Sequence, residues 1–346
     1  WYPSAEFETK NARTNVGLFE LSPFSKFDLK GEKVHEELQI LCTANIPNEP
    51  GKIKYTQMLN SDGGIETDLT VICIEKNYFR IVSSAANREH DKFHILKHIS
   101  KDVKLTDVTE DYCCLGLFGP KSREMISSIS SDDFSNENFK FATAKLVKIN
   151  DIEVWAQRIS YVGELGFELY VKKENALKLF DILIDKGKSY KISLCGMHAM
   201  DIMRMESGYL HWGHDISPEE NQFEAGLHFA VSFKKNINFI GRAALEKKRD
   251  KKDHKKFKML ILNHSKEGAP LLLHDEPIYL KDKIVGRTTS GCYSFNYNKN
   301  LAFGYINSGL TSDQIDKEAF EIEVEKKKYP ASVITRPLNN KKLSSL

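Results

Sequence analysis

The stretch Tyr161-Val162-Gly163-Glu164-Leu165-Gly166-Phe167-Glu168 lies between two runs that alternate like strands. Before it, Trp155, Gln157 and Ile159 alternate with Val154, Ala156 and Arg158. After it, Phe167, Leu169 and Val171 alternate with Glu168, Tyr170 and Lys172. A period of two is that of a β-strand with one buried face. The short turn between them carries two glycines, which adopt backbone angles other residues avoid and let other groups come close. Glu164 stands at its centre, where a carboxylate can receive two parallel N–H groups from an amidine- or guanidine-like edge. A hairpin with an idle surface glutamate satisfies the same pattern.

Outward from this point, the N-terminal side reads as a helix after Pro3 that ends near Gly17, then a strand within 18–29 and a helix carrying Val34, Leu38 and Leu41. Two prolines and a glycine in 45–51 mark a connection. Strands follow at 55–59 and 65–74 around the turn Asn60-Ser61-Asp62-Gly63-Gly64, with Ile65, Thr67, Leu69 and Val71 on one face and Glu66, Asp68 and Thr70 on the other. Phe79 to Val82 extends the sheet, and 87–99 predicts a helix with Phe93, Leu96 and Ile99 along its stripe. Strands at 103–108 and 112–118 follow, then a helix after Gly119-Pro120 carrying Met125, Ile126 and Ile129.

On the C-terminal side, 174–185 predicts an amphipathic helix with Leu177, Phe180 and Ile184 beside Ala176, Leu179 and Leu183. A second helix runs from Cys195-Gly196 to Glu206. Its four methionines suit packing, and Asp201 and Arg204 suit a local ion pair. A helix after Phe239-Ile240-Gly241 passes into the lysine-rich, solvated run 247–258. Six short strands beyond it, at 259–262, 278–280, 284–290, 302–306, 320–324 and 329–334, predict a small barrel.

The gross numbers set bounds. A chain of 346 residues is long enough for two or three domains. Fifty Lys and Arg against 48 Asp and Glu give a formal charge of +2, so nothing points to nucleic acid. Six cysteines, two of them adjacent and none in a Cys-x-x-Cys, point to reduced thiols rather than a disulfide framework. There is no membrane-length apolar run and no signal-peptide pattern. His211 and His214 with Asp215 are two-histidine spacing without a clear third ligand, and His90, His94 and His98 read as a stripe on a surface helix, so no metal is expected. No dinucleotide fingerprint, phosphate loop or nucleophile elbow occurs, so any flavin would bind outside these residues. Asp68, on the polar face of a half-buried strand, could take up a proton or hold a protonated amine.

The stretch 158–169 resembles the signature of the aminomethyltransferase family, the T-protein of the glycine cleavage system and its relatives. Gly63-Gly64 leading to Asp68-Leu69 agrees with it, as do Met205-Glu206-Ser207-Gly208, Gly213-His214-Asp215-Ile216, Phe239-Ile240-Gly241-Arg242 and Thr288-Thr289-Ser290-Gly291-Cys292. Phe19 to Phe27, Ser131 to Ser135, Leu301 to Tyr305 and Lys328 to Ala331 resemble more closely the folate-binding C-terminal half of dimethylglycine and sarcosine dehydrogenases. In those enzymes an FAD domain precedes the folate half, and a chain opening at Trp1 without an initiator Met fits a separated or processed piece.

The resemblance implies an α+β fold, a three-domain clover-leaf around a central folate channel with a small C-terminal β-barrel. It implies a discontinuous first folate-binding domain (1–51 with 141–245), a small ferredoxin-like α/β domain (52–140) and the barrel (246–346). It implies tetrahydrofolate as the cofactor, with FAD confined to a missing or separate partner domain. Asp68 is the catalytic residue by this reading. Glu164 grips the pterin, Tyr55, Asn87 and Tyr161 line the folate site, and Arg204 meets the glutamate tail. Where the T-protein has two adjacent acids before the leucine, the first is here Thr67.

The implied reaction is transfer of a one-carbon unit, arriving as an iminium or formaldehyde equivalent from an N-methylglycine, to give 5,10-methylenetetrahydrofolate. The implied partners are a small amine donor and a flavin-dependent dehydrogenase domain or subunit, in the cytoplasm or, in a eukaryote, the mitochondrial matrix. A stand-alone aminomethyl- or methyltransferase using a lipoyl carrier or another small donor, and a non-catalytic folate- or partner-binding protein, are the alternatives.

Overall fold

The computed structural model of the chain describes residues 1–249, 254–264, 266–307 and 309–346. In order, the elements are α1 (Tyr2–Thr14), β1 (Val16–Glu20), β2 (Ser25–Lys30), α2 (Val34–Leu41), β3 (Ile53–Leu59), β4 (Ile65–Glu75), β5 (Tyr78–Ser83), α3 (Arg88–His98), β6 (Lys104–Asp107), β7 (Tyr112–Phe118) and α4 (Ser122–Ser127). There follow β8 (Ala144–Ile149), β9 (Ile152–Gln157), β10 (Gly166–Lys172), α5 (Ala176–Gly187), β11 (Ile192–Cys195), α6 (Met197–Glu206) and α7 (Arg242–Arg249). The last part holds β12 (Lys256–Leu262), β13 (Pro277–Leu280), β14 (Lys283–Ser294), β15 (Lys299–Ile306), α8 (Ser312–Ile315), β16 (Ala319–Val324) and β17 (Lys327–Ile334).

These strands make a six-stranded sheet in the order β11-β1-β7-β10-β9-β8, a five-stranded sheet in the order β3-β4-β5-β2-β6, and a closed barrel β12-β15-β14-β13-β16-β17. Sheet partnership crosses the expected residue divisions at two places. Strand β2, within 1–51, pairs with β5 and β6, and β7, within 52–140, pairs with β1 and β10. The lysine run 247–258 is partly strand: β12 begins at Lys256, and residues 250–253 lie outside those described.

The period-two reading of β10 holds. Phe167, Leu169 and Val171 enter one core with Leu18, Leu115, Val154 and Leu179, while Tyr170 packs on the opposite face. That opposite face meets the five-stranded sheet: Ile53, Ile72 and Val82 share a cluster with Phe19, Cys114, Phe118, Tyr170 and Trp155. The two sheets are therefore stacked, each with its own apolar core on the far side.

Four local expectations change. The first helix stops at Thr14, and the chain enters β1 by Val16. Strand β9 ends at Gln157, so residues 158–165 form a long connection, although β9 and β10 still pair antiparallel. On α3 the Phe93 and Leu96 side chains face solvent, and Asp91, His94 and Ile95 are buried instead. The reason is polar: Thr67 on β4 donates to Asp91 Oδ1 at 3.1 Å, which turns the helix's polar edge inward. His94 is consequently no surface histidine, and burial pushes its imidazole down to about 4. On α5, Leu179 and Leu183 are buried and Leu177 is exposed.

The barrel is fastened to α6 by apolar and charged contacts together. Ile202 and Met205 pack among Cys292, Tyr293, Phe295, Leu301 and Phe303. Asp215, from the loop after α6, accepts four side-chain or backbone donors: Arg204 Nη1 at 2.6 Å, the His211 amide at 2.9 Å, Thr289 Oγ1 at 2.5 Å and Ser290 Oγ at 2.8 Å. A buried charge pair of this kind is costly to leave half-made. Asp215→Ala is expected to destabilise the protein by about 3–5 kcal/mol, read as a lower urea midpoint with an unchanged slope.

Candidate functional site

Strand alternation delivers one group of polar side chains to the space between the two sheets. On β4, Leu69 and Val71 face the core of the five-stranded sheet, so Asp68 and Thr70 face the other way, toward Ile72's partners. On β3, Tyr55 and Gln57 share the face of Ile53, with Met58 on the other side. From the six-stranded sheet come Glu168 and Tyr170 of β10, and Gln157 beside Trp155 on β9.

Asp68 is half-buried and held in place. Its register partner Gln57 donates from Nε2 to Oδ1 at 2.9 Å. Burial pushes the Asp68 carboxyl up to about 6, against hydrogen bonds from Gln57 and Tyr55 that favour its ionised form, and the nearby Asp91 adds to the rise. Tyr55 and Tyr161 both belong to this environment. Burial first, and then the Asp68 charge, raises the Tyr55 hydroxyl well above the ordinary range. Burial also raises Tyr161, with Asp68 among the charges acting on it, and its hydroxyl donates to the Leu210 carbonyl at 2.9 Å. The Tyr55 ring lies nearly parallel to that of Phe229, centroids 6.2 Å apart. Asn87 caps the start of α3 with its backbone only, its carbonyl accepting the Asp91 amide at 2.8 Å.

Glu164 and Arg204 both have partners within the protein. Glu164 is 1% exposed, and its Oε1 receives Arg13 Nη1 at 3.1 Å and Lys341 Nζ at 2.7 Å. Both cations meet Oε1, so this carboxylate joins α1 to the C-terminal segment. Gly163 beside it has φ +70°, and a Cβ there would lie 2.0 Å from Ser207 Oγ, which accounts for one of the two glycines. Arg204 is also buried. It donates to Asp201 Oδ1 at 2.8 Å, Asp215 Oδ2, the Tyr209 carbonyl and Ser290 Oγ, so the local ion pair expected with Asp201 forms.

The acid that the inter-sheet space does present is Glu168. Burial pushes its carboxyl up to about 7, opposed by the Tyr170 hydroxyl, which donates to Oε2 at 2.7 Å, and by the Lys26 ammonium. Nothing in the sequence marked it beyond its place opposite Phe167, Leu169 and Val171. Its importance depends on which sheet covers that face, and this is long-range information. The same holds for Gln57 and Gln157, which are 0% and 2% exposed and whose Oε1 atoms are buried without a hydrogen-bond partner. Orphaned buried acceptors are costly unless something fills them. Together with Glu168 they suit a ligand rich in N–H groups, as a reduced pterin is.

Among the described residues no group of three His, Cys, Asp or Glu side chains is placed to hold a metal ion. His211 and His214 do lie together, ring centroids 4.7 Å apart. Nor is any described helix long and apolar enough to cross a membrane. A groove of about 590 Å³ along α1, lined by Pro3, Glu6, Phe7, Lys10 and Asn11 among others, shares no residue with the inter-sheet space.

Comparison with known proteins agrees with this architecture. Residues 1–235 match the family described as the GCVT N-terminal domain, and residues 255–339 match the glycine cleavage T-protein C-terminal barrel domain. The chain is 34% identical, over 99% of its length, to a Paenarthrobacter nicotinovorans protein named 4-methylaminobutanoate oxidase (formaldehyde-forming), covering 41% of that protein. It is 32% identical, over 98% of its length, to mitochondrial dimethylglycine dehydrogenase of Rattus norvegicus, covering 39% of it. The chain thus spans about two fifths of the length of these relatives. The crystal structure of the glycine cleavage system aminomethyltransferase T from Bartonella henselae superposes with a TM-score of 0.85 at 22% identity, covering 96% of this chain and 89% of that one, so the fold is shared. The chain belongs to the glycine cleavage T-protein family and is an aminomethyltransferase-like enzyme, of the class whose chemistry is folate-dependent one-carbon transfer.

Proposed function

We propose that this chain is the folate half of a dimethylglycine or sarcosine dehydrogenase-like system. It receives a one-carbon unit from an oxidised N-methyl amine, as an iminium or formaldehyde equivalent, and transfers it to tetrahydrofolate. The observation that supports this reading is Asp68 itself, on the inter-sheet face of β4, held by Gln57 Nε2 at 2.9 Å, with Tyr55 and Tyr161 around it and its carboxyl raised by burial to about 6. The names of the relatives support the donor class, since one is an oxidase that forms formaldehyde from a methylamino acid and another a dimethylglycine dehydrogenase. By this reading the amine oxidation belongs to a flavin-dependent domain or subunit outside these residues.

When bound, tetrahydrofolate supplies two nitrogens, N5 and N10, across which the carbon is bridged to give 5,10-methylenetetrahydrofolate. The protein's own part is alignment and proton handling. Glu168 accepts N–H groups of the pterin in its ionised form. Asp68, fixed by Gln57, favours the cationic amine electrostatically and takes up a proton. With a carboxyl near 6 it is largely ionised at neutral pH and still basic enough to accept one. Tyr55 and Tyr161 flank the same space. Holding both reactants there contributes by proximity alone.

Three outcomes are expected. Asp68→Asn should leave binding of tetrahydrofolate nearly unchanged and lower formation of 5,10-methylenetetrahydrofolate from formaldehyde by about 100-fold or more; equal rates would remove Asp68 from the chemistry. Gln57→Leu deletes a hydrogen bond that lowers the Asp68 pKa, so the acid limb of the rate profile should move to higher pH. A raised-pKa Glu168 gains its charge as pH climbs through about 7, so folate affinity, measured by calorimetry, should fall by about tenfold per unit below that point. Glu168→Gln should bind more weakly and without this dependence.

A further inference from the structure

Thr67 and Asp68 are neighbours on β4, so their side chains leave opposite faces of the strand. Asp68 looks into the space between the sheets. Thr67 looks toward α3, where its hydroxyl donates to Asp91 Oδ1 at 3.1 Å. Two acids therefore stand on either side of one strand, next to the same two residues. Asp91 is the more enclosed of them, 1% exposed.

The surroundings keep Asp91 charged without cancelling its charge. It lies in the first turn of α3, an end that favours an ionised carboxylate. Oδ1 takes the Thr67 hydroxyl and faces His90 Nδ1 at 3.1 Å, while Oδ2 is buried and makes no hydrogen bond. His90 is shared, since its Nε2 lies 3.0 Å from Glu66 Oε2. One half-exposed imidazole thus faces two carboxylates. His94, a turn further along α3, brings no charge at neutral pH, because burial holds its imidazole down at about 4. Burial raises the Asp91 carboxyl, against Ser83 of β5, His90 and Thr67, which favour its ionised form.

A strand's thickness of protein separates this charge from Asp68, and charges act further through protein than through water. Asp91 adds to the rise that burial causes in the Asp68 carboxyl, while Gln57 and Tyr55 from β3 work against it. Tyr161, from the connection before β10, stays uncharged at neutral pH because burial raises its hydroxyl. We propose that Asp91 is a positioning residue for one-carbon transfer, a fixed negative charge behind β4 that acts through Asp68 by making that carboxylate hold a proton more tightly. This rests on the role given to Asp68 above and adds a residue to it. A proton acceptor works best with an affinity matched to the working pH, and the charge behind the strand helps to set that affinity.

Carbon-13 NMR of the aspartate carboxyls tests this without turnover. Asp91→Asn keeps an acceptor for Thr67 and removes the charge. Its Asp68 titration midpoint should fall by about half a pH unit or more. The acid limb of the rate profile should move to lower pH with it, opposite to the shift expected of Gln57→Leu. An unchanged Asp68 midpoint, with only a lower urea midpoint, would make Asp91 a pin for α3 and overturn the proposal. Should the variant not fold, the wild type decides. Coupled carboxyls sense each other's protons, so both titration curves should be broader than a one-proton curve; two one-proton curves would overturn the proposal. A shifted Asp68 midpoint with a transfer rate that ignores it would instead remove Asp68 from the chemistry, and this role of Asp91 with it.

Discussion

Arg13 donates to four groups at once. From the last turn of α1 its guanidinium donates to the Val162 carbonyl at 2.6 Å, to Glu164 Oε1, to the Met203 carbonyl at 3.1 Å and to Glu206 Oε2 at 2.7 Å. Glu206 in turn accepts Ser294 Oγ of the barrel at 2.7 Å and Asn296 Nδ2 at 3.0 Å. Two buried carboxylates in one neighbourhood repel unless a cation lies between them, and a planar, permanently charged group with several donors suits that place better than a lysine would. The connection before β10, α6 and the barrel are therefore fixed with respect to one another through a single side chain. The C-terminal segment closes the arrangement, with Lys341 on Glu164 and Asn339 Nδ2 on the Gly163 carbonyl at 2.8 Å.

This network includes the most conspicuous acid in the sequence, since Arg13 and Lys341 both donate to Glu164 Oε1. Glu164 is central to a glycine-flanked turn, and its chemistry suits a pterin edge as well as it suits an arginine. Sequence spacing cannot distinguish the two, because Arg13 and Lys341 stand at opposite ends of the chain. Asp68 was legible for a different reason. It falls on the polar face of an alternating strand, and a strand's two faces can be assigned from local pattern alone. The six barrel strands were legible in the same way, as was the helix after Gly31.

What local pattern could not supply was which layer covers which face. Phe93 and Leu96 form a good apolar stripe on α3, yet the fold turns Asp91 and His94 inward because Thr67 and Asp91 complete each other's hydrogen bonding. Glu168 and Gln157 stand in the sequence only as members of alternating strands. They became candidates only once the five-stranded sheet was seen to lie over them. Strand β2 shows the same limit in topology, since its partners β5 and β6 are encoded well downstream of it.

The stacking of the two sheets has a mechanical consequence. Asp68 and Glu168 are carried by separate layers whose mutual position is set by the apolar cluster of Ile53, Ile72, Val82, Phe19, Phe118 and Tyr170. Under the proposed function, the alignment of the two reactants is then a property of layer spacing, as a caliper's gap is a property of its jaws. Reaction rate depends steeply on such a gap, with losses of about 100-fold for a displacement of about 1 Å. Methyl groups of Val82 and Ile72 are then spacers between the two layers, and the rigidity of a close-packed interior is what holds the setting constant.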